Sequence, residues 1–129
     1  MDCGFTSSDR FSIFCKALRV QDEARGYGFE WLSVEGIIEK IREELLEIER
    51  EISQTGSFRL KKEIGDLYMV ALHLAQYLNL DPLECLEISC NIFEKRWRKV
   101  LDRINTLPED RIERLEYLES IWQSIKDDE

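Results

Sequence analysis

Apolar residues recur along this chain in steps of three and four, and nowhere do they alternate strictly with polar ones. That period belongs to amphipathic helices, and it predicts five of them. After a ragged start over residues 1–8, Phe11, Phe14, Cys15, Leu18 and Ala24 share a face from about Asp9 to Arg25, with Ser7 or Ser8 as cap. Gly26-Tyr-Gly-Phe-Glu-Trp31 breaks the run and gathers three aromatics in a loop. Ser33 caps a second helix over about 34–54, whose stripe is Ile37, Ile41, Leu45, Ile48 and Ile52. Gln54-Thr-Gly-Ser57 is a turn, and a third helix follows from Phe58 or Arg59 to Leu78. Beyond Asp66 this helix is apolar almost all round, which predicts burial. Asp81 as cap, Pro82 and Glu84 start a fourth helix over about 82–104, burying Leu86, Phe93, Trp97, Val100 and Ile104. Thr106-Leu-Pro-Glu109 reads as a capping box opening a fifth helix to about Ile125. Ile112, Leu115, Leu118, Trp122 and Ile125 line one side of it. Short connections favour antiparallel neighbours. The expected fold class is all-α: an antiparallel helical bundle of about five helices in a single domain, 1–129.

Composition narrows the partners. The net charge of −9 argues against nucleic acid, whose backbone needs clustered Lys and Arg. It fits a protein that collects cations, although plain solubility is the favoured account of the acidity alone. No stretch approaches the roughly 20 apolar residues of a membrane span, and no apolar leader opens the chain, so the expectation is a cytoplasmic protein with no membrane partner. Cys3, Cys15, Cys85 and Cys90 form no C-x-x-C pair, and His73 is the single histidine, which disfavours a structural zinc site. The thiols are expected to be free, with Cys85 and Cys90 as small buried hydrophobes. His73 reads as a packed or interface residue within the third helix. Such apolar helices in a short chain point to a homodimer or a homotetramer, a dimer of dimers.

Candidate chemistry lies in two carboxylate pairs, Glu44 with Glu47 and Glu63 with Asp66. Each is spaced i, i+3, so its side chains lie on one helix face. Two such pairs on neighbouring antiparallel helices make a cage of hard oxygen ligands, the chemistry Mg²⁺ and Mn²⁺ prefer. Lys40, Glu44, Glu47 and Glu51 run beside the apolar stripe, at the edge of the core. A carboxylate at the head of a buried helix needs a partner or a metal. Gly65 costs about 1 kcal/mol relative to Ala inside a helix, and a close helix approach would explain it. The plainer alternatives are a solvated acidic face, and a favourable helix dipole for Glu63 and Asp66. A di-iron carboxylate bundle is disfavoured, because it needs two Glu-x-x-His motifs.

Lys40-x-x-Glu43-Glu44-x-x-Glu47 followed by Glu63-x-Gly-Asp66 resembles the MazG-type all-α nucleotide pyrophosphohydrolases, whose signature is E-E-x-x-E and then E-x-x-D. Trp31 before the metal helix, Asn79-Leu-Asp-Pro82 with Glu84, and Phe93-Glu-Lys-Arg96-Trp97 follow the same pattern. The resemblance covers about 18–104 and leaves 106–126 as a C-terminal helical extension. It implies hydrolysis of a nucleoside triphosphate, or a related nucleotide, to the monophosphate and pyrophosphate. Glu44, Glu47, Glu63 and Asp66 would hold Mg²⁺, with Mn²⁺ as an alternative. Glu43 or a metal-bound carboxylate would accept the proton of the attacking water, and Lys40 and Arg96 would bind phosphate. Phe29 and Trp31 are candidates for stacking on the base, and equally for anchoring their loop. Cys90 and Ile92 stand where the family usually carries Asn and Lys, and Lys95 or Lys99 are the substitutes within reach in sequence. That departure keeps open a weakly active or non-catalytic nucleotide-binding, sensor or scaffold protein of the same fold.

Overall fold

The computed structural model describes residues 8–53 and 57–129, the side chains of 8–12 excepted. Ser7 as cap, Phe11 as a stripe residue and the turn at 54–56 lie outside them. Five helices run in order: α1 (Ser8–Gly26), α2 (Val34–Glu51), α3 (Phe58–Tyr77), α4 (Pro82–Arg103) and α5 (Arg111–Asp127), with no strand among the described residues. The all-α expectation holds. The chain forms two compact units, Met1–Pro82 and Leu83–Glu129.

Helix ends follow local chemistry. The Ser33 and Ser57 hydroxyls accept from the N–H groups of Gly36 and Leu60, at 3.3 and 3.1 Å, and start α2 and α3. Gly28, at φ 92°, ends α1: its N–H reaches the Arg25 carbonyl at 2.9 Å, and the Phe29 N–H reaches Ala24 at 3.0 Å. Asn79, at φ 59°, ends α3 the same way, with Asn79 N–H on Gln76 and Leu80 N–H on Ala75. Both are left-handed caps that satisfy the last carbonyls of a helix. The fifth helix corrects the sequence reading. Thr106 caps nothing; α5 begins at Arg111, where the Asp110 carboxylate accepts from the N–H groups of Ile112 and Glu113. Pro108 disfavours helix at Leu107, and Arg114 turns back onto the carbonyls of Pro108 and Glu109.

In the first unit α2 and α3 pack antiparallel. Glu51 meets Arg59 at 3.2 Å near the turn, and Glu44 meets Glu63 and Asp66 further along. Burial departs from the apolar pattern. Ile37 is fully buried, but Leu45 and Ile52 are exposed, whereas Glu44, next to Leu45, is only 3% exposed. On α3 the buried residues are Leu60, Glu63, His73 and Gln76, while Tyr68 and Met69 face outward. The expected burial of an apolar α3 is therefore corrected: its inward face carries mostly polar groups. Gly65 is corrected too, since a Cβ there would meet no described atom within 4 Å.

In the second unit the Phe93 and Trp122 rings lie 5.1 Å apart, and Arg103 donates to the Ser124 hydroxyl at 2.8 Å. Val100 and Ile125 are buried. Leu86 and Phe93, read from sequence as core, are exposed, as are Ile88 and Ile92. Cys85 and Cys90 are exposed free thiols rather than buried hydrophobes. A helix keeps one period whether its apolar face meets its own chain or another, so periodicity alone could not separate the two cases.

Candidate active site

The antiparallel register of α2 and α3 brings three of the four candidate ligands together. Carboxylate oxygens of Glu44, Glu63 and Asp66 all lie within 4.8 Å of one another. Glu44 and Glu63 are buried, and the Oε2 atom of each is sealed from solvent without a hydrogen-bond donor among the described residues. Glu47, one turn beyond Glu44, lies outside that trio but contacts Glu63. The contact with the Glu63 carboxyl, then desolvation, raises the Glu47 pKa above the ordinary carboxylate range. Two oxygens that need a donor or a cation, set among like charges, are what a hard divalent ion satisfies. The donor set therefore fits Mg²⁺ or Mn²⁺.

Two lysines partly neutralise the cluster. Lys40 lies 3.1 Å from Glu44 and 3.4 Å from Glu43, and Lys62 lies 2.8 Å from Asp66. Glu44 foremost raises the Lys40 pKa, as Asp66 raises that of Lys62. Glu43 is more than half exposed.

A second feature lies further along α3. Gln21 and Ala24 of α1, the loop residues Phe29, Glu30 and Trp31, and Met69, Val70 and His73 of α3 line a largely apolar cavity of about 470 Å³. Its walls include both aromatics singled out in the sequence. The Trp31 indole rests on α2, where a Cβ at Gly36 would come within 3.0 Å of the ring. Glu30 is the charged centre of the cavity wall. Its Oε2 accepts from Arg25 Nε at 2.6 Å; its Oε1 accepts from the Trp31 N–H at 3.0 Å and lies 2.8 Å from His73 Nε2. Burial pushes the Glu30 pKa up, but the bonds from Arg25, Trp31 and His73 together hold it below the usual value.

Sequence reasoning missed Glu30 and Arg25 and read His73 as a packed or interface residue. A usable signal was present: a histidine on an apolar helix needs a polar partner, and Glu30 is an acid flanked by aromatics. Lys62 was missed as well, although its i, i+4 spacing to Asp66 was visible. Arg96 lies in the second unit and makes a two-pronged pair with Glu129, 2.8 Å on each side, with its guanidinium 5.9 Å from the centre of the Trp122 ring. Lys95 and Lys99 contribute only electrostatically, toward the same Glu129. Cys90 and Ile92 are exposed on α4.

No helix among the described residues is long and apolar enough to cross a membrane. No protein-family model matches the chain. Curated relatives do. A protein of Thermotoga maritima named nucleoside triphosphate pyrophosphohydrolase/pyrophosphatase MazG is 33% identical over 114 residues, covering 85% of this chain and 42% of the relative. The nucleoside triphosphate pyrophosphohydrolase of Escherichia coli K12 is 29% identical over 116 residues, covering 86% of this chain and 43% of the relative. The chain thus spans less than half the length of the curated relatives it matches. Through most of its residues, and with a carboxylate register assembled between α2 and α3, the chain is similar to these MazG-type nucleoside triphosphate pyrophosphohydrolases.

Proposed function

We propose that the chain hydrolyses a nucleoside triphosphate, or a related nucleotide, to the monophosphate and pyrophosphate with Mg²⁺. The observation that carries this reading is the cluster of Glu44, Glu63 and Asp66 with its two unpartnered buried oxygens, in a chain whose curated relatives are named for that reaction. These three residues, with Glu47 beside Glu63, are the ligands. An ion held there neutralises phosphate oxygens and makes a bound water easier to deprotonate. The chain's own groups do the rest. Glu43, exposed beside Lys40, takes a proton from water on this reading, a transfer that typically contributes about 10²–10⁴-fold. Lys40 shifts from Glu44 toward the phosphates once the carboxylates are engaged. Phe29 and Trp31 hold the base in the cavity, where an aromatic face removes water from one side of the ring. Arg96 and Lys95 enter as phosphate ligands on the strength of the resemblance.

The exposed Leu86, Ile88, Ile92 and Phe93 of α4 support assembly as a homodimer or homotetramer, since an apolar face of this kind marks an association surface. We place the protein in the cytoplasm, in keeping with its free thiols.

Pyrophosphate release from a panel of nucleoside triphosphates, with and without Mg²⁺, tests the reading. Wild type should cleave at least one nucleotide and Glu47→Gln should not; no cleavage, or equal rates, sinks it. A second reading is favoured by one observation: Arg96 is already engaged by Glu129, while Cys90 and Ile92 offer phosphate no cation. On that reading the chain binds nucleotide with little turnover. Calorimetry showing Mg²⁺-dependent nucleotide binding without pyrophosphate release would select it, and a large gain in rate from Ile92→Lys would locate the impairment.

A further inference from the structure

The cavity beside α3 carries more than a stacking surface. His73 is 9% exposed and forms part of its wall. The ring uses Nε2 toward Glu30 at 2.8 Å, and Nδ1 takes no part in that contact. A carboxylate can only accept, so the Nε2 position carries the hydrogen. In the neutral imidazole the other nitrogen, Nδ1, then holds a lone pair and acts purely as an acceptor. Two further donors hold Glu30 toward this tautomer. Arg25 grips its second oxygen at 2.6 Å, and the Trp31 N–H holds the first at 3.0 Å. The aromatics that would stack on a base and the carboxylate that fixes the histidine are thus consecutive residues of one loop.

The placement suits a nucleotide. Asp66, Val70 and His73 are spaced i, i+4 and i+7, so they lie along one face of α3. Seven residues of helix span about 10 Å. A ligand with its phosphates at the carboxylate cluster and its base in the cavity would lie along this face.

We propose that His73 Nδ1 reads the edge of the base as a hydrogen-bond acceptor, and so selects nucleotides whose base presents an exocyclic amine, adenine or cytosine, over those presenting a carbonyl at that position. The inference rests on the nucleotide reading above and deepens it. Glu30 and Arg25 are positioning residues: they touch no base and act by holding His73. With a carbonyl in place of the amine, two acceptors face each other against largely apolar walls, and neither gains a partner from the other. Discrimination of about ten- to a hundredfold follows from one such mismatch.

Two matched pairs probe the contact: adenosine and inosine differ only in the 6-amine against the 6-carbonyl with its N1 proton, and cytidine and uridine differ in the same way at C4 and N3. With their triphosphates at about pH 8, above the ordinary imidazole range, kcat/KM should favour the amino member of each pair by about tenfold or more. In His73→Phe the preference should fall to near unity while the carbonyl substrates are still cleaved. The binding readout needs neither metal nor turnover. His73 is the only histidine in the chain, so ¹⁵N-histidine labelling of the full protein gives one ring to observe. The Nε2-protonated tautomer should dominate, and Nδ1 should shift with adenosine or cytidine monophosphate but not with inosine or uridine monophosphate. Should His73→Phe fail to fold, the wild-type spectrum still decides. A proton on Nδ1, or equal shifts with both members of a pair, overturns the proposal, as do equal kcat/KM values in wild type. If the Nδ1 shift is selective but no triphosphate is cleaved, the catalytic reading fails and the recognition proposal stands.

Discussion

Two carboxylates on the site's long face, Glu63 and Glu30, are treated in opposite ways by the same fold. Glu63 is buried on α3 against Glu44 and beside Glu47, and its Oε2 receives no donor. Glu30, by the cavity, has a donor on each oxygen, from Arg25 on one and from the Trp31 N–H on the other. A carboxylate paired within its own chain is complete without a ligand and can only orient its neighbours. One left among like charges with an unused oxygen lacks a cation that the chain does not supply in full. On the proposed reading, the first region takes a ligand and the second selects one.

The sharpest way to break that contrast is to remove the demand. Glu63→Gln should cut pyrophosphate release by about 10²-fold or more, since even outer partners of metal ligands cost 10–100-fold. The same change should raise the melting temperature of the metal-free chain, because a neutral amide relieves the repulsion. Glu30→Gln should do the reverse: a lower melting temperature, and Mg²⁺ binding within about twofold of wild type by calorimetry. Glu30 and Arg25 are both about a quarter exposed, so the stability lost should be only about 1 kcal/mol.

Mg²⁺ itself sharpens the contrast next. Saturating metal at about a hundred times its Kd should stabilise wild type by about 2.7 kcal/mol in thermal melts, and Glu63→Gln by almost none. Omission of that difference from the melts would mean the cluster is ordinary surface acidity.

Acidity separates the regions by sign. Glu47 has a folded pKa raised above 4.5, chiefly by Glu63, so the folded state holds its proton more tightly. Its contribution is present at low pH and is lost as pH rises from about 4.5 through the raised pKa. Glu30 has a lowered folded pKa, so its contribution is present above about 4.5 and is lost as pH falls through the lowered value. Urea unfolding of wild type minus Glu47→Gln, and of wild type minus Glu30→Gln, should therefore slope in opposite directions with pH. Parallel slopes would remove the distinction. The smallest effect belongs to Gly36→Ala. Helix propensity favours it by up to about 1 kcal/mol, but the methyl must push the Trp31 ring from its 3.0 Å seat. Stability should change little, while intrinsic Trp fluorescence and KM for nucleotide both shift.

Much of this was legible in the sequence because the information was local. The i, i+3 spacing of Glu44–Glu47 and Glu63–Asp66, the Ser33 cap, and the breaks over 26–31 and 79–82 all act within a turn or two. What escaped was long-range or competitive. His73 finds Glu30 across 43 residues, a pairing no period encodes. Glu44 goes inside while Leu45 stays out, because the rotation of α2 is set by its fit to α3 rather than by hydrophobicity alone. Asp110 rather than the expected Thr106 caps α5, because Pro108 disfavours helix at Leu107.

The central claim is that Glu44, Glu63 and Asp66 form a divalent-cation site. Electron paramagnetic resonance of Mn²⁺ titrated into the metal-free protein reads this directly, because bound Mn²⁺ loses the six-line signal of the free ion. Wild type should bind with saturation, and Glu63→Gln should weaken binding by about tenfold or more. Free Mn²⁺ throughout the wild-type titration, or equal binding by the variant, would contradict the account.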